Sequence, residues 1–284
     1  MVRKYLVSIM TLLLVSAGLV WAGRLQHDTK KVAAEDAKKV SVKGDFGAGE
    51  IVISGEDIAE AAIVDIFYDE EKVDYDVEYD VSRSTGRLVL ASHSRRRSNI
   101  DTEDNRWEIV LSTRYPVALD LEVGACDADF ELGGIPLEEV TLEIGASSGS
   151  ISFSKVNPVR LVDLDIEAGA SSLKMNSVGN ANFEEFNFSG GVGSFDLDLS
   201  GEYHGESVVN IEVGLGSADI VIPEEIPVRI ETDGSNWLSS VEIHHDDLEE
   251  VDDDAYESPG FEKARDRIVL KVDVGMGSID IYFE

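Results

Sequence analysis

The chain has 284 residues, with 24 Lys and Arg against 57 Asp and Glu and a formal charge of −33. That excess of acid argues against sequence-independent nucleic-acid binding, which needs basic side chains to displace counterions from phosphates, and against docking on an anionic membrane, which uses clustered Lys and Arg. At 43% hydrophobic residues the chain is too apolar to be disordered, and its single cysteine, Cys126, allows neither an internal disulfide nor a thiolate zinc cluster.

Residues 1–22 read as a secretory signal peptide. Arg3 and Lys4 precede an apolar run from Tyr5 to Val20, and Val20-Trp21-Ala22 offers small residues three before and one before a cut after Ala22. Cleavage is preferred over an uncleaved anchor, although the apolar run just reaches spanning length. The mature chain is then expected to have no membrane span. Export of a chain without a disulfide points to the periplasm or cell surface of a bacterium. Residues 23–39 are a polar linker with Lys30, Lys31, Lys38 and Lys39 among Ala, Asp and Glu.

From Val40 onward the periodicity is two. Tyr75-Asp76-Val77-Glu78-Tyr79-Asp80-Val81 alternates as a half-buried strand should, and Ser84-Thr85-Gly86 turns it toward Leu88-Val89-Leu90. Trp107, Ile109 and Leu111 share one side of a further strand. Residues 40–115 are expected to form an N-terminal β-rich cap.

A small-residue corner followed by a short alternating strand recurs through the chain, and residues 116–284 are expected to form the repeat domain built from it. Its copies begin at Gly49, Cys126, Gly149, Ser171, Gly193, Gly216 and Gly277, and the five central ones are separated by 23, 22, 22 and 23 residues. A second alternating strand precedes each corner: Leu119, Leu121 and Val123; Val140, Leu142 and Ile144; Val162, Leu164 and Ile166; Phe186 and Phe188; Val209, Ile211 and Val213; Leu270, Val272 and Val274. One such unit cannot bury its apolar face alone. Stacking units about 4.8 Å apart pairs their backbones and fuses the inward residues into one core. The spacing predicts an all-β fold, a single-stranded β-helix or β-solenoid with coils of about 22 residues. The 61 residues from Gly216 to Gly277 are too many for one coil. Pro227 to Ile230 and Ser240 to Ile243 supply an additional turn, and residues 244–267 form an acidic insertion read as a loop or short helix.

The Val213-Gly214-Leu215-Gly216-Ser217-Ala218-Asp219-Ile220 corner, with Pro223, Pro227, Val228 and Arg229, and the later Val274-Gly275-Met276-Gly277-Ser278-Ile279-Asp280-Ile281 resemble the toast-rack, adhesin-like β-solenoid domains of bacterial envelope proteins. Those domains include the C-terminal domain of cell-wall-active antibiotic response proteins. The resemblance covers residues 106–284, and 40–105 more weakly. It implies adhesion or envelope-stress sensing and brings no catalytic residues with it. The chain departs from the membrane-embedded members in having a signal peptide and no helical membrane bundle.

Outward positions between the buried residues are rich in carboxylates. Glu122, Glu143, Asp165, Glu212 and Asp273 form one expected ladder, interrupted by Asn187, and Asp129, Asp196, Asp219 and Asp280 belong to a second. Like charges about 5 Å apart repel by about 1 kcal/mol even in water. Calcium bridging would relieve that; a solvated acidic face that keeps the protein soluble explains the same pattern. The densest acidic run holds the calcium candidates Asp246, Asp247, Glu249, Asp252 and Asp253, but it lacks the glycine of an EF-hand loop, so a solvated loop is the simpler reading. His244 and His245 adjoin it, and adjacent strand residues point to opposite faces, so they are not expected to share one ion. Ser92-His93-Ser94-Arg95-Arg96-Arg97 is the basic cluster, read as a charged hairpin loop. Cys126 sits among acids, which raise a thiol pKa and disfavour a nucleophile. With no enzyme motif in view, the chain is expected to be a non-enzymatic, exported interaction or scaffold module for an envelope protein or surface polymer. The alternatives are a carbohydrate-active enzyme and a calcium-stabilised polysaccharide-binding β-helix.

Overall fold

Alternation of apolar and polar residues favours strands over helices, and strands dominate the chain. A computed structural model describes residues 25–95, 104–233, 238–245 and 247–284. Among these residues are seventeen strands and two short 3-10 turns, Val178–Ala181 and Phe261–Lys263, with no α-helix. The fold is all-β.

Its body is a stack of long strands, each bent at a glycine corner: β7 (Val117–Glu131), β10 (Leu161–Asn176), β11 (Phe183–Asp198), β12 (Glu206–Ile222) and β17 (Arg267–Phe283). One rung is split at its corner into β8 (Leu137–Ile144) and β9 (Ser148–Ser152). Neighbouring rungs pair in parallel along both arms, in the order β7, β8 with β9, β10, β11, β12, β17. The register puts apolar on apolar: Leu121, Leu142, Ile166, Phe188, Ile211 and Val272 succeed one another across the first arm. Phe130, Ile151, Met175, Leu197, Ile220 and Ile281 do so across the second. All twelve are buried.

The corners explain the glycines. A Cβ on Gly145, Gly169, Gly191, Gly214 or Gly275 would lie 2.6–2.9 Å from the carbonyl oxygen of the glycine one rung earlier, closer than a side chain tolerates. Only a hydrogen there lets the bends nest at strand spacing. Between this glycine column and the second arm, Val192, Leu215 and Met276 lie in register and about half exposed, forming an apolar ridge along the corner.

Two expectations about register need correction. Ser147, not Gly149, occupies the corner position of Cys126 and Ser171, because Ser148 pairs with Asp127 and Ser172. From β7 to β17 the corners are uniform in length, and the length differences lie in the return loops, such as Ser154 to Arg160. Buried Asn157 holds that loop. Its Nδ2 donates to the carbonyls of Leu137 (2.9 Å) and Ala181 (3.1 Å), and its Oδ1 accepts from the Leu137 amide at 3.1 Å. Val162 is exposed and Leu161 takes the inward position, so an irregularity at Val162-Asp163 breaks the alternation.

Both ends of the stack are closed by segments taken out of sequence order. At one end β2 (Lys39–Glu56) lies against β7, and on its other side are β5 (Thr85–Ser94) along one arm and β6 (Asn105–Ser112) along the other. Antiparallel strands finish that end: β4 (Val73–Ser82) on β5, β3 (Ala62–Asp69) on β6, and β1 (Leu25–Val32) on β3. Trp107 is buried there, with its ring edge-on to Phe46 and Tyr75 at 5.1 and 5.9 Å. At the other end β13 (Val228–Asp233) and β14 (Ser239–His244) lie in parallel on β17. The acidic insertion contributes β15 (Glu249–Asp252) and β16 (Ala255–Glu257), which pair antiparallel with each other and, through β16, with β13.

Candidate functional site

Outward side chains of the first arm form two adjacent columns, and their order follows from the register. One runs Asp45, Glu122, Glu143, Glu167, Ser189, Glu212, Asp273, Asp233. The other runs Lys43, Asp120, Thr141, Asp165, Asn187, Asn210, Lys271, Glu231. The expected ladder of Glu122, Glu143, Asp165, Glu212 and Asp273 therefore mixes two columns, and Glu167 is the residue opposite Glu143. The cause is the same two-residue slip as at the corner.

Over the later rungs these columns floor a groove of about 750 Å³ that crosses β8, β10, β11, β12, β17 and β13. Its centre is a hydrogen-bonded amide ladder. Asn187 Nδ2 donates to Asp165 Oδ1 (2.8 Å), and Asn210 Nδ2 donates to Asn187 Oδ1 (2.7 Å) and Glu185 Oε1 (2.9 Å). Carboxylates of Glu167, Glu212, Glu231, Asp233 and Asp273 line it with Lys271 and Thr232. The groove thus offers hydrogen-bond acceptors in a repeating row with one cation. Sequence reasoning missed it because the signal is the stacking of Asn187 on Asn210, which only the correct register reveals.

Along the second arm the outward column is Asp129, Ser150, Lys174, Asp196, Asp219, Asp280, Glu242. The expected second series is present, with Ser150 and Lys174 between Asp129 and Asp196. Ser150 donates to Asp129 at 2.7 Å. From Asp196 to Glu242 four carboxylates follow one another. Partial burial together with the neighbouring charges of Asp196 and Asp280 raises the Asp219 carboxyl above the usual carboxylate range. Beside this row, His244 Nε2 lies 3.2 Å from Asp280 Oδ1, and its ring stacks flat on Tyr282. His245 turns the other way, against Phe283.

Of the acidic-run candidates, Asp247, Glu249, Asp252 and Asp253 are exposed, and Asp246 lies outside the described residues. Among the described residues, the His, Cys, Asp or Glu ligand atoms that gather within 4.8 Å of one another belong to Glu242, His244 and Asp280, not to that run. In the basic cluster Arg95 pairs with Asp74 at 3.1 Å and His93 with Asp76 at 3.4 Å, while Arg96 and Arg97 are outside the described residues. Cys126 is buried, and burial, reinforced by Asp127, pushes its thiol up to about 12. No helix among the described residues is long and apolar enough to cross a membrane. The signal segment, residues 1–22, lies outside the described residues.

Residues 21–161 match the family model for the N-terminal domain of toast_rack, DUF2154, and residues 172–281 match that for the C-terminal domain of LiaF, the cell wall-active antibiotics response protein. The chain belongs to the toast-rack family. Among solved structures, this toast-rack chain is similar to a candidate cell adhesion protein from Clostridium sporogenes ATCC 15579, at 20% identity over 92% of this chain and 100% of that one, with a TM-score of 0.50. It is similar also to a candidate adhesin from Parabacteroides merdae ATCC 43184, at 11% identity over 91% and 96% of the two chains, with a TM-score of 0.38. The first of these likenesses supports the shared fold. Comparison with curated proteins gives no match.

Proposed function

We propose that this toast-rack chain is an exported, non-enzymatic interaction module of the bacterial envelope, adhesin-like or serving in envelope-stress responses. Its stacked rungs form one β-solenoid, and the polar groove on the first arm is the surface that takes a partner. The observation carrying this reading is the Asp165–Asn187–Asn210 ladder inside a groove that crosses six strands. A row of amides and carboxylates repeating at strand spacing suits a polymer whose hydroxyl groups also repeat, that is, a neutral or amine-bearing surface glycan. An anionic polymer would meet a carboxylate-lined wall. Membership of a family that includes antibiotic-response proteins supports an envelope setting.

The test is cosedimentation of the purified chain with isolated cell-envelope polysaccharide. Binding is expected for the wild type and should fall at least tenfold for Asn210→Trp, whose indole fills the groove. Binding that is unchanged by that substitution removes the groove from the reading. A second reading is glycan cleavage, favoured by the number of carboxylates in the groove. It predicts release of reducing ends from the same polymer, and an intact polymer after prolonged incubation rejects it.

A further inference from the structure

At the end of the stack closed by β14, three metal-ligating groups from two strands converge on the outer face. Glu242 and Asp280 stand opposite each other across the β14–β17 pairing. His244, two residues after Glu242, shares its face because side chains alternate along a strand. One ligand atom from each of the three lies within 4.8 Å of the others. The imidazole is held in place: its ring lies on that of Tyr282 with centroids 4.6 Å apart and planes 4° apart, and its Nε2 points to Asp280. Asp219 adjoins Asp280 on the next rung, and the column's described cation, Lys174, lies beyond Asp196. The corner therefore gathers negative charge beside a preoriented nitrogen donor.

We propose that Glu242, His244 and Asp280 form a surface site for one zinc ion, which ties β14 to β17. The donor set decides the class of ion. One imidazole with two carboxylates suits borderline cations, whereas calcium and magnesium prefer all-oxygen shells. Zinc holds such ligands at about 2.0–2.2 Å, so they must close to roughly 3.4 Å of one another. His244 Nε2 already lies 3.2 Å from Asp280 Oδ1, so the exposed Glu242 carboxylate is the group that must move in. Three protein ligands leave a fourth position for water. The site differs from the calcium candidates of the acidic run in both residues and chemistry.

The test is isothermal titration of the full chain with zinc chloride, and separately with calcium chloride. One zinc per chain is expected at micromolar concentration, with calcium at the same concentration failing to displace it. His244→Gln and Asp280→Asn should each weaken zinc binding by at least tenfold, while His204→Gln on a distant loop leaves it unchanged. Zinc should also shift the His244 imidazole resonance of the wild type, a readout that needs no variant to fold. Equal zinc affinity in wild type and His244→Gln, equal preference for calcium, or an unmoved His244 resonance overturns the proposal.

Discussion

Replacing Gly216 with alanine isolates what nesting of the corners contributes. Gly216 has φ +142°, and a Cβ built there falls into the carbonyl oxygen of Gly193 on the preceding rung. Gly205 provides the comparison: its φ is +96°, but a Cβ meets nothing within 4 Å. Alanine at positive φ costs about 1–2 kcal/mol, offset by about 0.4–1 kcal/mol from the reduced freedom of the unfolded chain. Gly205→Ala should therefore lose about 1 kcal/mol. Gly216→Ala carries that cost and must also push two rungs apart, sacrificing roughly two ladder hydrogen bonds at about 1 kcal/mol each, for a total near 3 kcal/mol. Urea unfolding followed by far-ultraviolet circular dichroism measures both, read as a shift in midpoint at constant slope. Equal midpoints for the two variants would refute the reasoning, because the carbonyl contact would then contribute nothing.

Ile144 and Leu164 face the core at 3% and 0% exposure, so Ile144→Asp or Leu164→Asp places an unpaired charge in it and should abolish the native β spectrum; a retained spectrum shows that the register is wrong. Cys126, with its thiol pushed up to about 12, should resist a thiol reagent at pH 8 in the native state and react fully in urea; rapid native labelling contradicts its burial. Because the folded carboxyl of Asp219 titrates above its unfolded value, its favourable contribution exists at low pH and is lost as pH rises through the folded value. Asp219→Asn should thus stabilise the protein at pH 7 by about 0.5 kcal/mol after solvent screening, with the gain shrinking in acid and in high salt. A gain that is constant from pH 3 to pH 7 would assign the effect to something other than charge.

The strand class and the corner glycines are legible in the sequence, because alternation and a residue without Cβ are local signals. Rung offsets are not. Gly149 copies the motif of Gly193, yet it sits at an inward position opposite Ala128 and Leu173, and the near-even spacing of the motif conceals compensating differences in the return loops. That slip carries Asp165 out of the Glu143 column, whereas the Asn187–Asn210 ladder, the feature that distinguishes the groove from an acidic face, follows from the Gly193–Gly216 pairing once Asn187 is taken out of the Glu212 column. The metal-ligating group is hidden for another reason. Glu242-Ile243-His244 shows two ligands on one face of a strand, but Asp280 joins them only through pairing with a strand beyond the whole acidic insertion.

The position of β17 has a consequence for how the chain reaches this state. It lies between β12 on one side and β13 with β14 on the other, although both of the latter precede it in the sequence. Growth of the stack by successive addition therefore stops at β12. Until β17 arrives, β14 lacks its parallel neighbour and β13 has only the three-residue pairing with β16, so both display the unpaired edges that promote aggregation. Closure of that end is one concerted insertion rather than a zippering. A chain halted within the acidic segment would be a sticky fragment, whereas in the finished molecule removal of β17 requires two ladders to break at once.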